Sequence, residues 1–472
     1  MGIGSITDTI ARAVEDASDG VTEVFQPVIR VGVTGLSRAG KTVFITSLVA
    51  NLLDRGRMPQ LLAASEGRIV SAFLQPQPDD TVPRFSFETH LAALTGATPH
   101  WPNSTRAISQ LRLSLKVQQS GLMAGMRGLK TVHVDIVDYP GEWLLDLPLL
   151  NQSYSEWSTQ ALELARSRGR ASQAAGWLAQ LETSDPTAEL HEPEAQRLAQ
   201  GFTQYLSDSR EAGFSACAPG RFLLPGDLKG SPVLTFCPLE RPDKPRSKML
   251  YAEFERRFDA YKRKVVKPFF RDHFSKIDRQ IVLVDTLGAI HAGPQAVEDL
   301  RGAMGNILTS FRPGKNTWLS KIMRKRVEKI LFVATKSDHL HHTQHSQLTA
   351  IMQAMLRDAK DRADFKGAKT TAMSIASLRA TVEQTVTHQG HPLDLVRGTL
   401  LETGKVAAMH AGELPSDPAH LLTPARQGAT EWLEGDFDVM RFAPPVLTRK
   451  PGDGLPHIRL DKAAQFLIGD RL

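Results

Sequence analysis

Cysteine is scarce in this sequence, with Cys217 and Cys237 the two present among 472 residues. Two isolated cysteines exclude a disulfide-rich scaffold and fit a reducing compartment, where we expect both thiols to be inert. No stretch approaches the roughly 18 consecutive apolar residues that a membrane-spanning helix needs. The N-terminal segment also lacks the basic and apolar regions of a secretory signal. These absences together predict a cytoplasmic protein.

The excess of positive over negative charge is small. Lys and Arg number 57 against 51 acidic residues, which gives a formal net charge of +6. Over the whole chain, this surplus does not select between an anionic ligand, a nucleic acid and an acidic membrane surface. Basic residues cluster at 244–279 and 321–329, but acidic residues interleave there and apolar residues recur at helical spacing. We therefore interpret both segments as solvated helix faces and expect no nucleic-acid partner.

The N-terminal third of the chain carries three strand patterns. A β-branched run at 28–34 predicts a buried strand, and an apolar helical pattern follows at 41–56. The alternating segments 110–117 and 131–138 predict the two strands of a hairpin. Because residues 57–105 are rich in proline and polar residues, we interpret them as a long loop system.

Strand patterns return after a long helical stretch, at 281–286, 330–335 and 369–375. Helical patterns separate these strands, and such alternation is typical of a mostly parallel sheet. With the three earlier strands, the sequence predicts an α/β fold built on a six-stranded, mostly parallel sheet flanked by helices. A final apolar run at 461–468 predicts a terminal helix.

These patterns predict a discontinuous domain interrupted by a helical insertion. We expect the first part of the α/β domain at 1–142 and an α-helical insertion, rich in Ala, Leu, Arg and Gln, at 143–278. The second part of the domain then covers 279–380. The remaining segment, 381–472, is predicted to be a C-terminal extension that packs on the α/β domain.

Residues 35–42, Gly-Leu-Ser-Arg-Ala-Gly-Lys-Thr, match the phosphate-loop pattern G-x-x-x-x-G-K-[ST] between a predicted strand and helix. Gly35 and Gly40 let successive backbone N–H groups point at phosphate oxygens, beside the positive end of the helix dipole. Lys41 can reach the β- and γ-phosphates, and the Thr42 hydroxyl can complete a Mg²⁺ shell. The other candidate contacts here are Ser37, Arg38, Ala39 and Val43, although Arg38 is equally compatible with a solvent-facing position.

Two Asp-x-x-Gly segments close predicted strands, at Asp138 and at Asp285. An aspartate in this position can hold Mg²⁺ through water, while the glycine N–H meets the γ-phosphate. Strand order favours Asp138 as the metal candidate, since the alternative leaves the sheet one strand short. Asp285 then caps the helix that follows it. Gly141 and its neighbour Glu142 become candidate catalytic residues.

The segment Thr335-Lys336-Ser337-Asp338 follows the fifth predicted strand. A carboxylate there can accept hydrogen bonds from N1–H and the exocyclic amine of guanine, which adenine cannot donate. The Lys336 stem can lie over the purine ring, and His339 flanks the nucleotide. The last strand ends in three residues whose backbone N–H groups are candidates to bind guanine O6: Ser374, Ile375 and Ala376.

Together these elements resemble the G1, G3, G4 and G5 motifs of Ras-like GTPases. The segments GLSRAGKT, WPNSTR, DYPGEWLLDLPLL and FVATKSDHL resemble more closely the YcjX family of bacterial stress proteins. This resemblance covers most of the chain and implies a Ras-like P-loop NTPase fold that binds GTP or GDP with Mg²⁺. The family has been described both as ATPases and as GTP-binding proteins.

The resemblance also implies a cellular setting. It places the protein in the cytoplasm, with a location near the inner membrane as an open alternative, and links it to the phage-shock envelope-stress response. It further implies a protein effector or activating factor whose identity is unknown, and a partner at the inner membrane is one candidate.

Two residues depart from the Ras-like pattern. Thr335 replaces the usual Asn, and its hydroxyl can supply only part of that amide's bonding to the phosphate loop, so we expect a weakened guanine preference. Glu142 replaces the water-orienting Gln. Because its charge opposes that of the γ-phosphate, Glu142 either points away or acts as a base, and we expect slow intrinsic turnover that a partner's arginine finger can raise.

The first switch segment has weaker signals. Thr105 is the candidate switch threonine, for catalysis and for Mg²⁺, with Ser104 and Trp101 close to the nucleotide; an ordinary loop hydroxyl is the alternative. His341 and His345, four residues apart, are minor candidates for a metal site against a role in flanking the nucleotide. The sequence leaves three functions open: a GTPase switch, an ATPase with the same loop, and a non-catalytic scaffold stabilised by bound nucleotide.

Overall fold

The computed structural model describes residues 26–35, 39–103, 107–119, 128–244, 246–310, 327–357, 368–429, 441–448, 450 and 452–472. The strands of the described residues are β1 (Val28–Gly35), β2 (Ile69–Gln75), β3 (Ser109–Gln118), β4 (Leu129–Asp138), β5 (Arg279–Val284), β6 (Lys329–Ala334), β7 (Lys369–Ser374), β8 (Val382–His388), β9 (His391–Thr399) and β10 (Val406–Met409). The α-helices are α1 (Lys41–Asp54), α2 (Leu62–Ser65), α3 (Phe87–Thr95), α4 (Tyr154–Arg166), α5 (Ala171–Glu182), α6 (Glu192–Glu211), α7 (Gly220–Leu223), α8 (Leu250–Tyr261), α9 (Lys267–Asp272), α10 (Thr286–His291), α11 (Pro294–Ser310), α12 (His345–Met355), α13 (Ala419–Arg426) and α14 (Leu460–Ile468).

A seven-stranded sheet forms the centre of the fold, with the order β2-β3-β4-β1-β5-β6-β7. β4, β1, β5, β6 and β7 run parallel, whereas β3 pairs antiparallel with β4 and with β2. The predicted α/β class, the mostly parallel sheet and the hairpin are therefore confirmed, and the architecture is consistent with a P-loop NTPase.

The predicted strand count of six is corrected to seven by β2, which lies inside the segment interpreted as a loop. β2 is an edge strand, and most of its residues are only half-buried. Because one partner strand and partial burial suffice at an edge, β2 lacks the continuous apolar run that marks a central strand.

The two central strands β5 and β6 are buried along their whole length. Their side chains alternate between two hydrophobic cores, since successive residues of a strand point to opposite faces. Ile281 and Leu283 of β5 pack in the core that contains α1 and α14. Val282 and Val284 pack in the core on the other face. This sheet accordingly has helices on both faces, as its parallel strands require.

Helices α4 to α9 lie between β4 and β5 and share a core with one face of the sheet. Within it, Trp157 of α4 stacks on Phe258 of α8 with ring centroids 4.9 Å apart. Trp177 of α5 stacks on Tyr205 of α6 at 5.4 Å. These aromatic residues belong to the same buried cluster as Val282 of β5, so the helices pack continuously onto the sheet.

The C-terminal part of the chain adds a second sheet and returns to the first. β8, β9 and β10 form an antiparallel sheet in the order β10-β9-β8, where the sequence pattern was too weak to predict strands. The predicted terminal helix is confirmed as α14. Lys329 at the start of β6 donates to the Phe466 carbonyl of α14 at 2.8 Å. Among the described residues, no helix combines the length and apolar character needed to cross a membrane.

Candidate functional site

The phosphate-loop segment joins the buried end of β1 to the first residue of α1. Gly40, immediately before α1, has φ of 73°, a left-handed conformation that glycine adopts without the cost of a side chain. A Cβ on Gly35 would lie 2.9 Å from the Leu283 carbonyl oxygen of β5, so this position requires close backbone approach. Ala39 is buried and Val43 is half-buried. Ser37 and Arg38 lie outside the described residues.

Lys41 reaches from the first turn of α1 to the end of β4. Its Nζ donates to the main-chain oxygen of Tyr139 at 3.1 Å. The Tyr139 ring is buried and its hydroxyl donates to Gln280 Oε1 at 2.7 Å, which fixes this turn against β5. Burial raises the pKa of Tyr139, so its hydroxyl stays protonated. The structure therefore brings the phosphate-loop lysine to the Asp-x-x-Gly segment.

Thr42 and Asp138 are the predicted metal-binding residues that the structure describes. Thr42 is buried in the first turn of α1, and Asp138 is buried at the last position of β4. Asp138 pairs in register with Val33 of β1, two residues before the phosphate loop begins. Both side chains thus lie where the carboxyl ends of adjacent parallel strands meet, which is where open α/β sheets bind ligands.

Asp285 occupies the corresponding position on the other side of β1, at the end of β5. Its Oδ1 accepts a hydrogen bond from the Gly288 backbone at 3.1 Å, so it is the N-cap of α10, as the sequence predicted. Its Oδ2 forms an ion pair with Lys336 Nζ. Lys336 has φ of 60° and directs its ammonium group to this carboxylate. Both Asp285 oxygens are therefore engaged within the protein.

Thr335, which replaces the usual Asn, has its hydroxyl placed differently from our expectation. The hydroxyl donates to the Val284 carbonyl oxygen of β5 at 3.2 Å and is buried. The Thr335 hydroxyl, which we expected to reach the phosphate loop, instead forms a hydrogen bond that joins the end of β6 to the end of β5. Thr335 therefore holds two strands together in this structure.

Asp338, the candidate base-recognition residue, is buried in a short 3₁₀ helix (Ser337–His339). Its Oδ2 accepts from the Ala380 backbone N–H at 2.8 Å. Its main-chain oxygen accepts from the Thr381 hydroxyl. One carboxylate oxygen is thus already occupied, and contact with a guanine base depends on Oδ1 or on an exchange at Oδ2.

The end of β7 is also committed within the protein. Ser374 N–H donates to the Thr349 hydroxyl at 3.1 Å, and Ile375 N–H donates to the Ala334 oxygen at 2.9 Å. Ala376 N–H donates to the Ile458 oxygen at 3.1 Å. Binding of guanine O6 by these three groups, as the sequence suggested, requires that one of these hydrogen bonds be given up.

Glu142 faces the inserted helices. It lies at the start of a buried 3₁₀ segment (Gly141–Asn151), and its Oε1 is 3.8 Å from Nη1 of Arg210 on α6. A Cβ on Gly220 would lie 1.9 Å from the Glu142 carbonyl oxygen, so the contact between these segments requires glycine. A cavity of about 100 Å³ lies beside Glu142, Arg210 and Asp285. The Glu142 carboxylate therefore contacts the inserted helices, and its role as a base stays a prediction.

Trp101 connects the first switch segment to the C-terminal region. Its indole N–H donates to the Phe442 carbonyl oxygen at 2.8 Å. The Phe442 ring meets the half-buried His339 ring edge to face, with centroids 5.4 Å apart. Burial lowers the pKa of His339, so this imidazole is held neutral. Ser104 and Thr105 lie outside the described residues, and their predicted roles remain untested.

Sequence patterns missed four residues that contact this site. Tyr139 lies within the Asp-x-x-Gly segment but was given no role, whereas Arg210, Ala380 and Phe442 lie outside the motifs that we identified. Tyr139 directly follows Asp138, and this position could have indicated that its main-chain carbonyl lies within reach of Lys41. The other three reach the site from sequence segments far from the motifs they contact, and no local pattern marks them.

Comparison with known proteins agrees with this geometry. The chain matches the YcjX-like family, DUF463, over residues 29–472. It is 38% identical to a protein of Escherichia coli strain K12 named Ras-like GTPase YcjX, over 94% of this chain and 96% of that protein. It is 36% identical to a protein of the same name from Shewanella oneidensis, over 94% of each chain.

Proposed function

The chain belongs to the YcjX-like family, and from this premise we propose that it binds guanine nucleotide and hydrolyses GTP to GDP. The observation that carries the proposal is the convergence of Lys41, Thr42 and Asp138 at the carboxyl ends of β1 and β4. The names of the two relatives supply the nucleotide class. The geometry supplies the groups that phosphoryl transfer requires.

The phosphate-binding part of the proposal uses backbone and lysine donors. Successive N–H groups at Gly35, Ala39, Gly40 and Val43, with those of Ser37 and Arg38, would surround the phosphate oxygens. Lys41 would exchange its bond with the neutral Tyr139 carbonyl for a bond to the negatively charged phosphate, where both partners carry charge. Gly40 has a left-handed conformation directly before α1, and the N-terminus of that helix favours a bound anion.

Magnesium fits the donors that are present. The Thr42 hydroxyl and the Asp138 carboxylate are hard oxygen ligands of the kind that Mg²⁺ prefers, and both are buried beside the phosphate loop. When bound, Mg²⁺ would neutralise charge that develops on the phosphates. Thr105 is the proposed third ligand, and the Gly141 N–H is proposed to meet the γ-phosphate.

Turnover is proposed to be slow because no neutral side chain replaces the water-orienting Gln. Glu142 Oε1 lies 3.8 Å from Arg210 Nη1 on α6, and under this proposal the ion pair keeps the carboxylate from orienting the attacking water. The same contact gives the protein a route for signalling. A change in the Gly141–Asn151 segment on hydrolysis would be passed to the inserted helices, which we propose bind an effector or activating factor.

The cellular setting is proposed from the family alone. We expect a cytoplasmic protein that acts in the bacterial envelope-stress response, and a partner at the inner membrane would place it at that surface. A non-catalytic scaffold is the alternative for this role, and bound GTP that releases no phosphate over hours would support it.

An ATPase is the second candidate, and specific contacts favour it. Asp338 Oδ2 is occupied by Ala380, and Thr335 replaces the amide that usually supports guanine recognition. Under this alternative Asp338 is structural, and ATP binds at least as tightly as GTP.

The base preference is tested by Asp338→Asn, which keeps a side-chain oxygen for the Ala380 N–H. If Asp338 binds the guanine base, GTP should displace a fluorescent GDP analogue from the unmodified protein at least about tenfold better than ATP does. This ratio corresponds to the free energy of one charge-assisted hydrogen bond. The variant then prefers xanthine nucleotides. The exposed Asp243→Asn is the control and keeps the original order. Equal competition by ATP and GTP, unchanged in Asp338→Asn, would support the ATPase.

A further inference from the structure

Two histidines and two carboxylates meet just beyond Asp338, outside the proposed nucleotide site. His341 and His342 lie at the start of a 3₁₀ turn (His342–Gln344). Glu383 belongs to β8 and Asp394 belongs to β9. Ligand atoms of His341, His342 and Glu383 all lie within 4.8 Å of one another. Within the described part of the chain, no other trio of histidine, cysteine or acidic residues meets this distance limit.

The predicted pair of His341 and His345 is not the pair that the structure brings together. His345 is buried on α12 and its Nε2 faces the main-chain oxygens of Ser337 and Leu340, at 2.8 and 3.2 Å. This imidazole is therefore committed to closing the turn after β6. The histidine that lies beside His341 in the cluster is His342, and not His345 as the i, i+4 spacing predicted.

The geometry around Glu383 leaves one oxygen for the histidines. Its Oε2 is 2.7 Å from His342 Nδ1 and 3.9 Å from His341 Nε2. Its Oε1 is 3.4 Å from the guanidinium of Arg379, which orients the carboxylate. Two imidazole nitrogens and one carboxylate oxygen therefore converge from two chain segments.

The second nitrogen of His341 is held by an oriented carboxylate. His341 Nδ1 is 3.2 Å from Asp394 Oδ2 and 3.0 Å from the Thr343 hydroxyl. Asp394 is itself fixed, since its Oδ1 accepts from the Thr385 hydroxyl at 2.8 Å. In metalloproteins a carboxylate typically accepts the ring N–H of a ligating histidine in this way and leaves the other nitrogen for the metal. The arrangement directs Nε2 of His341 to Glu383 and His342.

We propose that His341, His342 and Glu383 bind a divalent transition metal ion, with Zn²⁺ the best match. Imidazole and carboxylate ligands in a set of three are typical of zinc sites that keep a further position for water. His342 has 65% of its side chain exposed, which provides an entry path and room for that water. The site is independent of the proposed nucleotide chemistry.

An ion at this site would join two parts of the fold. Glu383 follows Thr381, whose hydroxyl binds the Asp338 main chain, and the histidines follow Asp338 directly. A metal bridge between them would pin the start of the small β8–β10 sheet to the turn after β6. Binding is therefore expected to stabilise the folded chain, with water in the position that the three side chains leave open.

The test uses the full chain after removal of bound metal with a chelator. We expect calorimetric titration with ZnCl₂ to show one ion per chain at this site, and Co²⁺ to give the visible absorption of a low-coordinate complex. His342→Ala and Glu383→Gln should each weaken zinc binding at least about tenfold. Asp394→Asn, which removes only the orienting carboxylate, should weaken it by about 10- to 100-fold.

The control is His388→Ala, which removes an exposed histidine at the end of β8 outside the cluster. It should bind zinc as the unmodified protein does. Circular dichroism of each variant without metal verifies that the fold is intact. Absence of zinc binding, or equal affinity in the unmodified protein and in the His342→Ala/Glu383→Gln double variant, would overturn the proposal and leave ordinary ion pairs.

Discussion

Asp146 is a buried carboxyl group at the junction between the Asp-x-x-Gly segment and the inserted helices. Its Oδ2 accepts from the Tyr261 hydroxyl at 2.5 Å, and its Oδ1 accepts from the Gly220 N–H at 2.7 Å. Burial raises the pKa of Asp146 to about 6, against an ordinary value of 3.8. The hydrogen bonds oppose that shift without cancelling it. The charged form therefore costs free energy in the folded state.

This shift predicts a pH dependence of stability. The folded-state pKa lies above the unfolded one, so the folded protein binds the proton more tightly, and the free energy of unfolding falls as pH rises from about 4 to about 6. The loss is on the order of 3 kcal/mol for a shift of this size. Asp146→Asn, which cannot ionise, should lack this component.

Urea denaturation of both proteins between pH 4 and pH 7 measures the effect. The unmodified protein should lose stability relative to Asp146→Asn as pH rises through this window, and the difference should level off above about pH 6. Parallel curves across the whole range would show that the carboxyl group titrates equally in the folded and unfolded states.

A buried ion pair joins the inserted helices to α11, which follows β5. Arg170, before α5, pairs with Asp299 of α11, and both side chains are almost fully buried. Asp299 also accepts from the Ser215 and Ala216 backbone N–H groups, at 2.6 and 2.8 Å. One carboxylate thus connects α5, α11 and the segment after α6.

Asp299→Asn should therefore be strongly destabilising. The variant leaves the Arg170 guanidinium buried without a negative partner, which costs about 3–5 kcal/mol in comparable buried pairs. Asp259→Asn is the control, because the Asp259 carboxylate is 62% exposed in its ion pair with Lys262 and should contribute at most about 1 kcal/mol. Chemical denaturation at neutral pH compares the two, and equal losses of stability would contradict the role of Asp299.

The sequence predicted the strands and helices whose own residues carry a clear apolar pattern. β5 and β6 contain the apolar runs 281–284 and 330–334, and α14 has a clear apolar face, so each was placed correctly within a few residues. β8 was missed because most of its residues are exposed and polar. β2 was missed because it is a half-buried edge strand. In both cases neighbouring strands stabilise the pairing, and the local sequence carries little of that information.

At the scale of the whole molecule, the phosphate-loop side of the site was predictable and the base side was not. The motif is contiguous, and its described glycines lie where the pattern predicts them, Gly35 at the end of β1 and Gly40 directly before α1. The residues proposed to bind the base are held by contacts with segments that are distant in sequence. Ala380 reaches Asp338 from 42 residues away, and Ile458 reaches Ala376 after a further sheet and helix. Such contacts are set by tertiary packing that no spacing rule contains.

Contacts between residues that are distant in sequence also connect the separate parts of the fold. Trp101, Phe442 and His339 link the first switch segment, the C-terminal region and the turn after β6. Glu142 and Arg210 link the Gly141–Asn151 segment to the inserted helices. A nucleotide bound at the proposed site would therefore lie beside segments that contact both the inserted helices and the C-terminal region.

Residues 35–42 are proposed to bind the phosphates of a guanine nucleotide. Equilibrium binding of fluorescent GDP to the Lys41→Ala variant tests this proposal. Removal of a charged donor from bound phosphate should weaken binding by about tenfold to 100-fold. Lys229→Ala, which removes an exposed lysine of the insertion, should bind GDP as the unmodified protein does. Equal GDP affinity in Lys41→Ala and Lys229→Ala would contradict the account.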